Sequence, residues 1–254
     1  MTLAELLDEL RVGVLNDRSD RTAGTSDYLW SDARLVRYID AAEQRLAIQG
    51  LVIRDGFTNE VCLVTLVAGQ TEYPLHEAVL AVVSAKRETA VTDLVRVGHA
   101  VLGAYRAPND TWDPATLVAM SPGAPLAYST DEGVRAQYTD SMSQVILRVY
   151  PAPDATAAGT KIRMRVVRKP IERLVSSNMG ATPEVPEDHH LEMLDWAAYL
   201  ALRIVDSDAG APARATEFAQ SFQVHVNNAR KNAMRKMFAP LPWGFGRSGF
   251  SWES

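Results

Sequence analysis

Apolar positions recur every three or four residues near both ends of the chain and every second residue in its middle, and this change of period divides the sequence into parts. At the start, Leu3, Leu6, Leu7, Leu10 and Val14 form one stripe. It predicts an amphipathic helix from about Thr2 to Leu15, ahead of the polar stretch Asn16 to Asp27. Ser31 suits the cap of a second helix, and Trp30 before it can pack on Leu35 as a hydrophobic staple. Leu35, Ile39, Ala42 and Leu46 then make a buried stripe, and Gly50 is expected to stop the helix.

Between about Glu60 and Pro170 the period shortens, β-branched residues become frequent, and Pro and Gly punctuate the chain. This segment is predicted to form a sheet. Its strands are read as Val61 to Val67, Val79 to Arg87, Leu126 to Ser129, Val134 to Tyr138, Gln144 to Tyr150 and Thr160 to Lys169. The last two are expected to pair as an antiparallel hairpin, with Pro151 to Gly159 projecting as a mobile loop. On the final strand Lys161, Arg163 and Arg165 alternate with Ile162, Met164 and Val166, which puts a basic row opposite the core face. A solvated strand face accounts for that row. The sharper reading is a surface facing phosphate or another subunit, with charge added by Arg148 on the neighbouring strand.

Pro186, with Glu187 and Asp188 beside the positive end of a helix dipole, marks a helix start. From His189 to Val205, Leu191, Leu194, Ala198, Leu202 and Val205 make a stripe, and Met193, Trp196, Ala197, Leu200 and Ile204 carry apolar character around the helix. Asp206 to Pro212 breaks the pattern. A second helix is read from about Ala213 to Phe238, with Phe218, Phe222, Val226, Ala229, Ala233 and Met237 as its seam. The two are expected to pack as a hairpin, bringing Arg230, Lys231, Arg235 and Lys236 near the acidic start of the first helix. Contact with an acidic partner or with DNA is the other use for these cations.

Residues 240–254 have no helical or strand period but contain Trp243, Phe245, Phe250 and Trp252. Rings of that size left in water are unusual. They are expected to anchor the tail in a groove on a partner, with docking on the same chain as the alternative. The fold class is therefore α+β. A helical body begins with two N-terminal helices (1–59) and is completed by a long helical hairpin (171–238). A β-rich antiparallel insert with a projecting hairpin (60–170) interrupts it, and an extended C-terminal arm (239–254) follows.

Composition narrows the function by exclusion. A chain of 254 residues that is 47% hydrophobic and 22% charged is ordinary for a globular protein, neither disordered nor fibrous. The uninterrupted apolar run of a membrane helix is missing, and the acidic first ten residues do not resemble a secretion signal. The single cysteine, Cys62, lies in an apolar run and reads as a buried structural thiol in a reducing compartment. A net charge of -5 argues against a dedicated nucleic-acid binder.

Catalytic patterns are scarce. Asp188, His189 and His190 are residue types that hold metals in phosphoesterases, but successive residues on a helix point about 100° apart. No Cys-x-x-Cys or His-x-His supports them. His76, His99 and His225 are isolated, and no Gly-x-Ser-x-Gly elbow occurs. The glycines of Gly244 to Gly249 follow a helix instead of opening one, unlike a phosphate loop. The sequence is read as a non-enzyme without cofactors.

The order of several short motifs resembles head-to-tail adaptor, or connector, proteins of tailed bacteriophages. These are Leu29-Trp-Ser-Asp-Ala-Arg-Leu35, Tyr38-Ile-Asp-Ala-Ala-Glu43, Gly69-Gln-Thr-Glu-Tyr-Pro-Leu75, Gly123-Ala-Pro-Leu-Ala-Tyr128, Leu147 to Asp154, Arg168-Lys-Pro170, Pro183 to His189 and Trp196-Ala-Ala-Tyr-Leu-Ala201, with Asp206-Ser-Asp208 closing that helix. Together they cover about residues 1–238. The resemblance implies a structural protein of the virion neck, made in the host cytoplasm and assembled as a ring of about twelve copies, a closed cyclic arrangement. It also implies a portal protein above, a tail or nozzle protein below, and genomic DNA passing through the lumen without specific binding. No membrane is involved. Another neck or tail-completion protein, or a metal-dependent phosphoesterase using His189 and His190, are the alternatives.

Overall fold

The structure is a computed structural model that describes residues 1–17, 28–97, 121–130, 144–203 and 211–237. Helix α1 (Leu3–Asp8) opens with a capping box: the Thr2 hydroxyl accepts the Glu5 N–H, and the Glu5 carboxylate accepts the Thr2 N–H at 2.8 Å. Past Asp8 the helix widens into a π-helical stretch, Glu9–Val14, so the expected single helix has two geometries. Leu3, Leu6, Leu7 and Leu10 are buried along it. Ser31 occupies the cap position of α2 (Asp32–Gly50) without a side-chain cap bond. Gly50 is the last helical residue and not the stop. The reversal falls on Leu51, whose φ of 55° is left-handed and whose N–H reaches the Ala47 carbonyl. Gly50 matters for close packing, because a Cβ there would sit 3.2 Å from Val52 Cγ1 and 3.4 Å from Ala229 Cβ.

The middle of the chain forms two four-stranded sheets. In the first, β8 (Lys161–Arg168) takes β4 (Val79–Arg87) on one side and β1 (Arg54–Asp55) and β2 (Leu63–Thr65) on the other, all antiparallel. The second runs β3 (Glu72–Pro74), β7 (Ile146–Tyr150), β6 (Ala127–Thr130), β5 (Val95–Arg96), with only β5 and β6 parallel. Val82, Ile162, Met164 and Val166 from the first sheet share one core with Tyr73, Tyr128, Leu147 and Val149 from the second.

Three strand expectations are corrected here. Val61 and Cys62 belong to a short helix, α3 (Asn59–Cys62), and only Leu63–Thr65 of that run is strand. β7 and β8 do not pair with each other but lie in different sheets. Their connection does not project: Pro153 O accepts the Gly69 N–H at 2.8 Å, Ala152 O accepts the Gly123 N–H at 2.8 Å, and the Gly159 N–H reaches Leu66 O at 2.9 Å. Those bonds hold the segment as a bridge between sheets, with Ala157 buried. Val134 to Tyr138 lies outside the described residues.

Beyond the sheets, Glu187–His189 makes one 3-10 turn and regular helix starts only at α4 (Leu194–Leu202), later than the expected His189. Leu191, expected in the apolar stripe, is 57% exposed. Helix α5 runs Ala211–Met237. It packs on α4 through Trp196 and Phe222, whose ring centroids are 5.3 Å apart. Arg45 of α2 lies 3.7 Å from the Trp196 ring centroid, so all three helices meet there. The helical core joins buried residues of α1, α2, α4 and α5, with Trp30 packed at its edge. Among the described residues, no helix is long and apolar enough to cross a membrane.

Candidate interaction surfaces and the frame that carries them

The adjacent histidines serve separate structural bonds. His190 is buried, with Nε2 3.0 Å from the Val185 carbonyl and Nδ1 3.1 Å from the N-terminal amine of Met1. This pairing fits a neutral ring that donates from Nε2 and accepts at Nδ1, and burial lowers its pKa in the same sense. His189 turns instead to Glu192, at 2.6 Å. Among the described residues no group of three His, Cys, Asp or Glu is placed to hold a metal. Cys62 is buried, and burial, reinforced by the Asp55 charge, pushes its thiol up to about 12. That is the setting of a structural thiol.

A buried polar network fixes the sheets against the helices. Arg168, at the end of β8, donates from Nε to Asp55 Oδ2 at 2.7 Å and from Nη1 to Glu184 Oε2. Asp55 Oδ1 also accepts the Phe57 and Thr58 N–H groups at 2.8 and 3.0 Å, which shapes the turn into α3. Desolvation favours a neutral Asp55, but the bonds from Thr58, Phe57 and Arg168 outweigh it and hold the carboxyl well below the usual range. Burial likewise opposes the charge on Arg168, and its bonds to Glu184 and Asp55 overcome this and raise its pKa. Glu184 Oε1 accepts the Ile171 and Glu172 N–H groups at 2.7 and 2.8 Å.

From α2, Glu43 accepts the Glu184 N–H at 2.6 Å and the Val185 N–H at 3.4 Å. Burial pushes its carboxyl up to about 7. Asp40, one turn earlier, pairs with Arg173 at 2.6 Å. Next to Asp55 on β1, Arg54 donates to the Ala233 carbonyl of α5. A second buried ion pair, Arg11 with Asp17 at 2.9 Å, braces the turn after the π-helical stretch. None of these groups carries a local sequence pattern. Asp55 and Arg168 are 113 positions apart, so only their residue types were visible.

The predicted surface residues fall into two described sets. Arg163 pairs with Glu88 at 3.1 Å and lies within 3.4 Å of Gly56 O. Arg165, on the same face of β8, is exposed. Arg148 does not join them, because it sits on β7 in the other sheet and pairs with Glu72 at 2.8 Å. On α5, Arg230, Lys231 and Arg235 are exposed and line a shallow depression with Asn227 and Met234. The acidic start of α4 does not meet them: Glu192 and Asp195 face His225, at 3.3 and 3.6 Å. The three α5 cations thus have no ion-pair partner among the described residues. Lys236 belongs to α5; its side chain, like Trp243, Phe245, Phe250 and Trp252, lies outside the described residues.

The described residues form a mixed α+β frame braced by buried ion pairs, with charged side chains on its outer faces. Residues 1–241 match the family model described as SU10 adaptor protein, and the chain belongs to that family. Its role is that of a bacteriophage structural adaptor, a component of the virion. None of the curated proteins matches the chain.

Proposed function

We propose that the chain is a head-to-tail adaptor that forms a ring of about twelve copies beneath the portal, joins the capsid to the tail and leaves a channel for DNA. Membership of the adaptor family over residues 1–241 carries this reading. Each copy binds its ring neighbours, the portal protein above and a tail or nozzle protein below, in the neck of the virion. No reaction is required of it. Genomic DNA passes through the lumen without specific binding, and the net charge of -5 suits that role, since dense basic lining would retain phosphate.

Within the subunit, residues 1–59 and 171–238 act as the helical body, with α4 and α5 as its hairpin. Residues 60–170 form the β-rich insert and 239–254 an arm. Trp243, Phe245, Phe250 and Trp252 are its anchors on the portal or a neighbour. Arg163, Arg165, Arg230, Lys231, Arg235 and Lys236 supply charged contacts at an interface or the lumen. The test is to mix the purified protein with a portal assembly and image the product. A ring bound coaxially below the portal is expected. A ring that binds a tail component but no portal would assign it to another neck or tail-completion role, and monomers that bind neither would overturn the proposal.

A further inference from the structure

An open groove of about 910 Å³ lies where the corner between β1 and α3 meets the outward face of β4 and β8. Its volume is at the upper end of the range, about 300–1,000 Å³, in which proteins hold compact ligands. Phe57 stands in its wall, 91% exposed. The backbone that carries the ring is held in place, because Asp55 Oδ1 accepts the Phe57 N–H at 2.8 Å and Asp55 is itself held by Arg168. Half-buried Val83 and Ser84 line the groove from β4; exposed Arg54, Lys86 and Arg165 bring positive charge, and Glu88, paired with Arg163, and Asp93 bring negative charge at its rim. The groove therefore offers an exposed apolar ring on a held backbone beside guanidinium groups, a surface suited to aromatic side chains and an occasional carboxylate.

The chain itself supplies such a segment, and the helix that leads into it touches a groove residue. Arg54, a groove residue, donates to the Ala233 carbonyl, which places the last turn of α5 against the groove wall. Helix α5 ends at Met237. Residues 238–254 follow, with Phe238, Trp243, Phe245, Phe250, Trp252 and Glu253. Extended at about 3.3–3.6 Å per residue, they reach more than about 50 Å.

We propose that residues 238–254 of the same chain lie in this groove in the free subunit, with their aromatic rings against Phe57 and Arg165. A second copy is the less favoured source because the tether at Ala233 keeps the segment at high effective concentration beside its own groove. This goes beyond the adaptor role and does not depend on it. It adds one consequence: an arm seated on its own sheet has to leave before it can reach a portal.

The test is photocrosslinking of the full chain. Cys62 is buried, so a cysteine introduced by Lys86→Cys or, separately, by Ser84→Cys can carry a benzophenone probe selectively. The expected result is an intramolecular crosslink from either position into residues 238–254. Its yield should fall about tenfold when Phe57→Ala and Arg165→Glu are added, or when Trp243, Phe245, Phe250 and Trp252 are all changed to Ser. Crosslinked dimers joining the groove of one copy to the tail of another would overturn the same-chain assignment in favour of a second copy. Crosslinks that avoid residues 238–254 from both positions would overturn the proposal entirely. Failure to bind a portal would leave this result untouched, so the two readings fail separately.

Discussion

Arg168 holds two carboxylates, and one of them, Asp55, responds to acid in a way its surroundings fix. Replacing it by methionine keeps much of its bulk but leaves Asp55 and Glu184 without their cation inside the protein. The expected loss is about 3 kcal/mol, read as a lower urea midpoint at neutral pH. Asp55 titrates below its ordinary value in the fold. Its stabilisation is therefore complete above about pH 4 and disappears as pH falls through the folded pKa, so R168M should flatten the acid limb of the stability curve.

Glu43 has the opposite sign. The folded protein keeps its proton up to about pH 7, whereas the unfolded chain releases it near 4.5. Stability should thus fall by at most about 3 kcal/mol as pH rises across that window. Glu43→Gln should remove this slope and make the protein more stable than the native chain at pH 8, as measured by denaturation across pH. Neither effect was legible in the sequence. Glu43 and Glu184 are 141 positions apart, and a charged residue on a helix reads as solvated until the fold covers it.

At the scale of elements, periodicity succeeded where one face packs on a continuous core. Phe222, Val226, Ala229 and Ala233 were read as the seam of the last helix, and all four are buried. Phe222→Ala should cost about 3–5 kcal/mol through the lost contact with Trp196 and the cavity it leaves. For a chain of this size that is a drop of about 10 °C in Tm by calorimetry. Val224→Ala, on the exposed side of the same helix, should change stability by less than about 0.5 kcal/mol.

Local signals failed where tertiary bonds overrule them. The turn ahead of α4 stays irregular because His190 is committed to the Val185 carbonyl and the N-terminus, contacts that no helical stripe reports. Sequence adjacency suggested that β7 and β8 form a hairpin. The bonds from residues 152–159 to Leu66, Gly69 and Gly123 carry the chain from one sheet to the other instead.

For the whole molecule, charge distribution gives the sharpest expectation. A net charge of -5 coexists with an exposed basic face at Arg230, Lys231 and Arg235, and such asymmetry speeds encounter with an acidic surface more than it strengthens the final contact. The family was legible from the order of motifs, and these cations were one of two things in the sequence: a contact for an acidic partner or DNA, or partners of the preceding helix. In the fold the second of these is not met, because Glu192 and Asp195 at the start of the preceding helix lie against His225 instead. Reversing charge with R230E and K231E together should leave Tm unchanged within about 1–2 °C, because both side chains are exposed.

If the face meets an acidic partner in the assembled neck, the native protein should associate with portal about tenfold more slowly when salt is raised from about 50 to about 500 mM. The double variant should be slow at low salt and nearly insensitive to salt thereafter. Stopped-flow light scattering against a fixed portal concentration measures both. Equal rates for the two proteins at low salt would remove this face from the portal interface and leave the lumen or the ring contact as its place.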